Sequence, residues 1–507
     1  MITDKPMTGQ EYLESLNDGR EVWIYGERVK NITQHPAFRN SARMIARVYD
    51  AMHDPKTRDI ITAPTENGGR THRYFLAPKT VEDQVASRDS IAETQRVTYG
   101  WMGRSPDYKG SFLATLGANA AFYRGYEENA KRWYRKAQER TAYINHAIMN
   151  PPVDRNKSSA DSSDVYIRVV KENDAGIFVS GAKVVATNSA LTNYTFVAHA
   201  GQIPIKDPAY APVFIVPTNA PGVKMISRMS NEHRAAVLGS PFDYPLSSRM
   251  DENDAILVMD NVFVPWEDVF MHGDVDQAND FAPKSGFNAR AAMHGCTRLA
   301  VKLDFITGLM VKALEITGTH TFHGVMSRMG EVIAWRNTMW GLSDAMAKSN
   351  IPWNGMVQPD PRFGTAYRTI SQIAYPAIKN IIEASVTSGL IYLNSHANDF
   401  LNPELRPYLD TYMRGSGGAD AEERVKVMKL LWDTIGTEFG GRSELYEINY
   451  LGSNDLTRLQ NYWEALSLGE MDRMKGLVDT CMSEYDLNGW TVPDLVNNDD
   501  VSILKAR

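Results

Sequence analysis

The spacing of hydrophobic and polar positions divides the 507-residue chain into three parts. In residues 1–150, apolar side chains recur at intervals of three and four, as in ARMIARVYDAMH (42–53), which predicts helices. In residues 151–280, short β-branched runs such as VYIRVV (165–170) and VFIVP (213–217) alternate with turn residues, which predicts strands. In residues 281–507 the helical spacing returns. We therefore predict a helical domain, a β domain and a second helical domain with these boundaries.

Two apolar stripes in the last part predict long helices that pack against each other. The stripes comprise Leu299, Leu303, Ile306, Met310 and Leu314, and then Val332, Trp335, Met339, Leu342 and Met346. The order of the three domains matches the acyl-CoA dehydrogenase architecture, in which a flavin lies between the β domain and the bundle. The predicted fold class is thus α+β, with an N-terminal helical domain, a central β-barrel or sandwich and a C-terminal four-helix bundle.

Composition and charge exclude several classes of protein. The chain is 43% hydrophobic and 23% charged, as in ordinary globular proteins, and its net charge is −7. It has no block of Lys and Arg, so we expect no nucleic-acid partner. No run of about 18 apolar residues occurs and the first ten residues lack an apolar region. We therefore expect no membrane span, no signal peptide and a cytoplasmic protein.

Cysteines and nucleotide-binding motifs are scarce. The two cysteines, Cys296 and Cys481, cannot supply four thiolates to zinc or to an iron–sulfur cluster, and we expect reduced thiols. HTFH (320–323) holds two histidines without a third ligand, so we predict no metal site. Neither GxGxxG after a strand nor GxxxxGK[ST] occurs, so a flavin would bind without a Rossmann unit or a P-loop.

Three polar residues beside turn-forming residues are candidates for chemistry on a phenol. Arg104 and Tyr108 lie in GWMGRSPDYK (100–109), and His146 lies in YINHAIMNPPVDR (143–155). A nearby cation lowers the pKa of a phenol and so favours the phenolate, whose ortho carbon is electron-rich. His146 would accept or donate a hydrogen bond near neutral pH. Each of the three alone is more often a structural residue, and only the combination suggests a site.

Two further segments offer groups for a cofactor. GAKVVATNSALTN (181–193) places Thr187, Ser189 and Thr192 where a strand ends, and these hydroxyls suit a flavin ring edge or a carboxylate. The GSND turn (452–455) can present backbone N–H groups to a phosphate. On local grounds, an ordinary hydroxyl-lined turn remains the alternative for both segments.

Several long motifs along the whole chain resemble one enzyme family. They include EYLESLNDGREVWIYGERVK, YGWMGRSPDYK, YINHAIMNPPVDR, GAKVVATNSALTNY and IGTEFGGRSELYEINY. The chain resembles the oxygenase components of 4-hydroxyphenylacetate 3-monooxygenases, which are two-component flavin-dependent phenol hydroxylases. The resemblance implies a homotetramer and reduced FAD (FADH2) supplied by a separate NADH-dependent flavin reductase. It also implies that the flavin reacts with O2 to a C4a-hydroperoxide, which hydroxylates a phenol ortho to its hydroxyl group and gives a catechol.

The resemblance also assigns roles to residues. It implies that Arg104, Tyr108 and His146 are catalytic and hold the phenol, and that a loop at about 199–208 closes over the substrate. We add Thr192, Asn193 and His294 as candidates for substrate contact. The implied flavin contacts are His146, Pro152, Val153, Asp154, Arg155, Thr187, Ser189, Gly452, Ser453, Asn454 and Asp455.

Departures from the family pattern leave the substrate open. Asn193 and Ser443 stand where close relatives carry histidine, and His294 stands where they carry other residues. His294 is either a second acid–base group or a structural histidine. The expected substrate is 4-hydroxyphenylacetate, and the alternative is a tyrosine-derived phenol (tyrosine, a coumarate or a coumarin) in a biosynthetic pathway.

Other proteins with this fold fit less well. A 4-hydroxybutyryl-CoA dehydratase needs more cysteine ligands than the chain has, and the motifs of an acyl-CoA dehydrogenase are absent. A flavin-binding or scaffolding protein without activity is the non-enzymatic alternative, and it predicts that no catechol forms.

Overall fold

Two β-sheets occupy the middle of the chain, with helices before and after them, in the computed structural model. The model describes residues 4–153, 156, 164–199, 204–449 and 452–496. The N-terminal part contains helices α1 (Gly9–Ser15), α2 (Arg39–Ala51), α3 (Arg58–Ile61), α4 (Val81–Val97), α5 (Gly110–Ala118) and α6 (Glu127–Arg140), and strands β1 (Glu21–Ile24), β2 (Glu27–Arg28), β3 (Thr62–Pro64) and β4 (Arg70–His72).

Helix α4 shows how local sequence sets these elements. Its start is fixed by a capping box, in which Thr80 Oγ1 accepts a hydrogen bond from the backbone N–H of Asp83 and the Asp83 carboxylate accepts one from the N–H of Thr80. Near the end of the helix, Gln95 Nε2 donates a hydrogen bond to Ser105 Oγ at 2.8 Å, next to the candidate residue Arg104.

The central part contains the predicted strands. They are β5 (Ile144–Ala147), β6 (Arg168–Asn173), β7 (Gly176–Lys183), β8 (Tyr194–Val197), β9 (Val213–Pro217), β10 (Val223–Ser227), β11 (Ala255–Pro265) and β12 (Val269–Met271), with helix α7 (Asn231–Leu238) after β10. The first sheet has the order β2-β1-β10-β11-β7-β6 and the second has the order β12-β9-β8-β5. Side chains from both sheets, such as Leu257 and Phe214, share one buried cluster, so the sheets form a sandwich.

The first 150 residues are not purely helical, because they contribute strands to both sheets. Strand β1 pairs in parallel with β10, and its alternating burial places Val22 and Ile24 in the core. Strand β5 pairs in parallel with β8, with His146 opposite Phe196. The N-terminal segment is therefore part of the sandwich as well as a helical layer.

The last part is helical. It contains α8 (Val275–Asn279), α9 (Phe281–Lys284), α10 (Phe287–Ile316), α11 (His323–Lys348), α12 (Pro361–Val386), α13 (Asn398–Leu401), α14 (Arg406–Tyr412), α15 (Ala421–Ile435), α16 (Glu438–Asn449), α17 (Asn454–Ser467) and α18 (Glu470–Met482), with short strands β13 (Ile351–Trp353), β14 (Met356–Gln358), β15 (Tyr485–Asp486) and β16 (Gly489–Trp490). Helix α10 packs on α11, α12 and α15, and α11 packs on α12. The first predicted stripe is fully buried on α10, whereas Trp335 and Leu342 of the second are half-buried on α11.

The described residues were compared with the predictions for cysteines, metal sites and membrane spans. Cys296 is buried and Cys481 is exposed, and both are free thiols. Among the described residues, no group of three or more His, Cys, Asp and Glu side chains is arranged to hold a metal ion. None of the helices in the described ranges has the length and apolar character needed to cross a bilayer.

Candidate active site

The fold brings Arg104, Tyr108 and His146 together. Pro106–Lys109 forms a single 3₁₀ turn with proline at its start, which suits the fixed φ of proline, and Tyr108 projects from this turn. His146 lies on β5. The guanidinium carbon of Arg104 is 4.5 Å from the centre of the Tyr108 ring, and the Tyr108 and His146 ring centres are 5.3 Å apart. The candidate guanidinium, phenol and imidazole are thus neighbours.

The backbone of Arg104 is held by a buried network. Its N–H donates to Glu252 Oε1 at 2.6 Å, and its carbonyl accepts from the hydroxyl of Tyr143. Asn188 donates to the same Tyr143 hydroxyl at 3.1 Å. A Cβ at Gly103 would lie 2.2 Å from the Tyr446 hydroxyl oxygen, so only glycine permits this close approach. The network fixes the position of the backbone from which the Arg104 side chain extends.

Lys109 belongs to the site, although the sequence analysis did not assign it. Its side chain is fully buried, and its Nζ lies 3.2 Å from His146 Nδ1 and 4.8 Å from the centre of the Tyr108 ring. The only signal in the sequence was its position within the same turn. Lysine side chains are usually exposed to solvent, so the sequence did not indicate that Lys109 is buried.

Burial and neighbouring positive charges shift the pKa values of His146 and Lys109. Burial, followed by Lys109 and Arg104, lowers the pKa of His146 well below its usual value of 6.5. The imidazole is therefore neutral at pH 7. Burial and Arg104 also lower the pKa of Lys109 well below 10.5, whereas Glu252 and Asp107 act in the opposite direction.

His294 lies behind Tyr108 and is bonded to Asp107. Its Nε2 is 2.8 Å from Asp107 Oδ2, both side chains are fully buried, and its ring meets the Tyr108 ring edge-on with centres 5.1 Å apart. Burial raises the pKa of Asp107, but His294 outweighs it and holds that pKa below its usual range. Ser105 and Gln95 donate to the same carboxylate. The pair anchors the turn, and substrate contact by His294 stays a prediction.

Thr192 and Asn193 bond to other parts of the protein. Thr192 is fully buried, and its hydroxyl donates to the carbonyl of Ser189 at 2.9 Å. Asn193 Nδ2 donates to Ser15 Oγ at 2.9 Å. The described contacts do not join either residue to Arg104, Tyr108 or His146.

Thr187 and Ser189, proposed for the flavin, lie at the junction of the sandwich and the last helices. The Thr187 hydroxyl donates to Asp254 Oδ1 at 2.6 Å, and Arg442 on α16 grips the same carboxylate with contacts of 2.8 and 2.9 Å. Burial raises the pKa of Asp254, but Arg442 and then Arg228 bring it below its usual range. The Ser189 hydroxyl is buried without a hydrogen-bond partner among the described residues.

The turn that begins at Gly452 faces helix α12. Gly452 has φ +127°, a conformation that favours glycine, and its carbonyl accepts from Gln372 Nε2 at 3.1 Å. A Cβ at Gly452 would lie 3.3 Å from the Nη2 atom of Arg368. Arg368 Nε is buried and has no hydrogen-bond acceptor in the described part of the chain, and burial lowers the Arg368 pKa to about 10. Ser453, Asn454 and Asp455 are exposed at the start of α17.

Other predicted flavin contacts lie after β5. Pro152 and Val153 are exposed, while Asp154 and Arg155 lie outside the described residues. The ammonium of Lys183 on β7 donates to Asn150 Oδ1 at 2.8 Å, just before this segment, and burial lowers the Lys183 pKa to about 7.

The loop predicted at 199–208 is described only in part, since residues 200–203 lie outside the described ranges. Its second half is tied to α8, because Ile205 N–H donates to Asn279 Oδ1 and Asn279 Nδ2 donates to the Ile205 carbonyl, both at 2.9 Å.

Buried polar groups on the sandwich and on the bundle suit a flavin. The Ser189 hydroxyl and Arg368 Nε are buried polar groups that the described protein does not satisfy, and unsatisfied buried groups of this kind are costly. A flavin carries ring nitrogens, carbonyl oxygens and phosphates that could supply the missing partners.

Family models match nearly the whole chain. The model described as 4-hydroxyphenylacetate 3-hydroxylase N terminal matches residues 8–271, and that described as 4-hydroxyphenylacetate 3-hydroxylase C terminal matches residues 278–479.

Individual proteins are similar over the same length. The 4-nitrophenol 2-monooxygenase oxygenase component of Rhodococcus sp is 56% identical, covering 99% of this chain and 97% of its own. The 4-hydroxyphenylacetate 3-monooxygenase oxygenase component of Escherichia coli is 54% identical, with the same coverage. A crystal structure of the oxygenase component of 4-hydroxyphenylacetate 3-monooxygenase, complexed with FAD and 4-hydroxyphenylacetate, is similar with a TM-score of 0.86. It is 30% identical to this chain, and the match covers 94% of this chain and 99% of that one.

Proposed function

The chain belongs to the 4-hydroxyphenylacetate 3-hydroxylase family, and we propose that it hydroxylates a phenol ortho to its hydroxyl group to give a catechol. It is the oxygenase component of a two-component monooxygenase, and it uses FAD and O2. The observation that carries the proposed role of the site is the grouping of Arg104 and His146 around Tyr108, at 4.5 and 5.3 Å.

In this proposal, the protein binds the phenol as its phenolate, and the phenolic proton passes to solvent. Reduced FAD, when bound, supplies the activated oxygen by its reaction with O2. Arg104 stabilises the phenolate by its charge, because an opposite charge within about 4–6 Å favours the ionised form of a phenol. Tyr108 and His146 donate hydrogen bonds to the phenolic oxygen and so orient the ortho carbon. Phe287, which lies 6.4 Å from Tyr108 and 6.1 Å from His146 between ring centres, forms an apolar wall beside them.

The flavin is proposed to lie between the sandwich and the bundle. Thr187 and Ser189 would contact it from the sandwich, and Gly452 to Asp455 would contact it from the helical side. Pro152 and Val153 are proposed to complete the site together with His146. The supporting observations are the unsatisfied Ser189 hydroxyl and the exposed turn at the start of α17.

The substrate that best agrees with the family is 4-hydroxyphenylacetate. A second candidate is 4-nitrophenol, since a 56% identical relative is a 4-nitrophenol 2-monooxygenase. Both are phenols with a polar group opposite the hydroxyl. Arg104, Tyr108 and His146 would therefore hold either phenolic oxygen.

Partners follow from the two-component chemistry. We propose that an NADH-dependent flavin reductase delivers FADH2 in the cytoplasm. We also propose a homotetramer, which is supported by an exposed apolar face on α17 and α18. We call this the C-terminal apolar face, and it comprises Tyr462, Trp463, Leu466, Met474, Leu477 and Val478, each more than half exposed.

The substrate is tested with a panel of phenols. The full chain is supplied with FADH2, which an added flavin reductase generates from NADH, and with 4-hydroxyphenylacetate, 4-nitrophenol, tyrosine, 4-coumarate or 7-hydroxycoumarin. Catechol is measured by liquid chromatography and mass spectrometry. We expect the highest kcat/KM with 4-hydroxyphenylacetate, whereas activity confined to the last three phenols would contradict the proposed substrate.

A further inference from the structure

We infer that Lys109 is a positioning residue for His146, because it holds the imidazole in the tautomer that carries its hydrogen on Nε2. The inference rests on the proposed function, in which His146 donates a hydrogen bond to the phenol.

The contact between the two side chains determines the tautomer. Lys109 Nζ lies 3.2 Å from His146 Nδ1, within hydrogen-bond reach. An ammonium group has three donors and no acceptor, so Nδ1 must accept and cannot carry a hydrogen. In a neutral imidazole the hydrogen then lies on Nε2, the nitrogen for which the described part of the chain shows no protein hydrogen bond.

The charged groups around Lys109 and His146 favour Lys109 as the hydrogen-bond donor and His146 Nδ1 as the acceptor. Arg104, Glu252 and Asp107 face Lys109, and the Tyr108 ring lies 4.8 Å from its Nζ, a favourable distance between a cation and an aromatic ring. The two carboxylates favour the ammonium form of Lys109 and oppose burial and Arg104, which lower its pKa. Burial, Lys109 and Arg104 all disfavour a protonated His146 and lower its pKa. In the ammonium form that the two carboxylates favour, Lys109 contacts a neutral imidazole at 3.2 Å and sets the tautomer of that ring.

The tautomer matters for a phenolate. An Nε2–H group donates to the phenolic oxygen and stabilises its negative charge, whereas a bare Nε2 would present a lone pair to the same oxygen and repel it. A fully buried ammonium is costly, since removing such a charge from water costs several kcal/mol. An apolar side chain of the same length would fill the space without this cost, so packing alone does not account for a lysine here.

The tautomer can be measured without substrate or flavin. The full chain is labelled with [15N]histidine, and the two His146 signals are assigned by comparison with His146→Gln. Nitrogen-15 NMR distinguishes a ring nitrogen that carries hydrogen from one that does not. We expect hydrogen on Nε2 alone in the parent protein, and a mixture of tautomers in Lys109→Met.

Two further variants separate the hydrogen bond from mere filling of space. Lys109→Gln keeps an N–H donor for Nδ1 and should restore the Nε2–H tautomer. Lys183→Met removes another buried lysine, which bonds to Asn150 rather than His146, and should leave the tautomer unchanged. The inference is overturned if Lys109→Met keeps hydrogen on Nε2 alone, or if Lys109→Gln behaves like Lys109→Met.

A second measurement reads the consequence for a bound phenol. The absorbance of 4-nitrophenol reports its ionisation, and Lys109→Met should raise the pKa of the bound phenol by about one, a tenfold change in the ionisation constant, with Lys109→Gln in between. An unchanged pKa in Lys109→Met would contradict the positioning role. Absence of catechol formation from every phenol would overturn the proposed function, yet the NMR result on the unliganded protein would still decide the role of Lys109.

Discussion

At the residue scale, the candidate site depends on charged groups that the fold buries. The sequence was sufficient to select Arg104, Tyr108 and His146, which the fold brings together, and their roles stay a prediction. It was not sufficient for Lys109, since its burial depends on β5 and on Glu252, which are distant in sequence. Arg368 was missed for the same reason, because only the fold brings α12 to the turn at Gly452.

Replacing Arg104 should uncouple the enzyme. In Arg104→Ala, the phenolate loses the guanidinium that stabilises it, so catechol formation should fall on the order of 100-fold while O2 is still consumed as hydrogen peroxide. Catechol is measured by liquid chromatography and peroxide by a peroxidase assay.

Arg249→Ala is the matched control, since Arg249 also lies beside a tyrosine ring, 5.9 Å from the centre of Tyr99. It should keep coupled turnover. Equal coupling in Arg104→Ala and the parent protein would show that Arg104 does not hold the phenol.

Buried histidines should make stability depend on pH. Burial is the main reason why the pKa of His72 is about 4 rather than 6.5. Because the pKa of His72 is lower in the folded protein than in the unfolded chain, neutral His72 contributes its full stability above about pH 6.5. This contribution to the free energy of unfolding is lost as the pH falls towards 4. The titration of His72 alone should lower the free energy of unfolding by about 2 kcal/mol between pH 7 and pH 5.

The variant His72→Asn tests this pH dependence. Its amide oxygen can replace Nδ1, which caps the N–H of Tyr74, but it does not titrate. Urea unfolding at pH 7 and pH 5 should show a smaller loss of stability in the variant than in the parent. The same loss in both proteins would show that His72 is not the responsible group.

At the scale of elements, patterns that repeat along the chain were predicted well. The stripe on α10 and the alternating strands of the sandwich depend on burial of one face, which leaves a clear period in the sequence. The short strands β1 and β5 were missed, because four residues carry little periodicity and their partners β10 and β8 are distant along the chain. Their pairing nevertheless decides where His146 lies.

A buried ion pair joins α10 to α16 and should matter for stability. Arg298 donates twice to Glu447, at 2.7 and 2.5 Å, and Lys302 donates to the same carboxylate at 2.9 Å. Removing the guanidinium in Arg298→Met leaves a buried carboxylate with less compensation, so the free energy of unfolding should fall by about 3 kcal/mol.

Chemical denaturation of Arg298→Met and of Arg298→Met/Glu447→Gln checks this. The double variant should recover part of the loss, because the amide of glutamine is less costly to bury than an unpaired carboxylate. A loss that is larger in the double variant would contradict this explanation.

At the scale of the whole molecule, the α+β fold class predicted from the sequence is confirmed, although the first 150 residues also contribute strands to both sheets. The predicted family is confirmed as well, by models that cover residues 8–271 and 278–479. The order of strands in the two sheets was not predictable, because it depends on pairing between distant segments such as β1 and β10. The surface that we propose to face other copies of the chain was also not predictable, since it depends on which side chains the fold leaves exposed.

The C-terminal apolar face should be an interface between copies of the chain. Light scattering coupled to size-exclusion chromatography should give four times the 56.8 kDa mass of one chain. Charges at two exposed leucines, in Leu466→Asp/Leu477→Asp, should reduce that mass because a buried unpaired charge is costly. Lys475→Gln, a change at an exposed polar position of α18, should not. A parent protein that elutes as a monomer would contradict the homotetramer.

The central claim, that this chain inserts one atom of O2 into a phenol, is tested most directly with isotopic oxygen. The full chain is mixed with FADH2, 4-hydroxyphenylacetate and 18O2, and the product is analysed by mass spectrometry. We predict a catechol that carries one 18O atom in the new hydroxyl group beside the original one. Formation of hydrogen peroxide alone, or of a catechol without the label, would contradict the account.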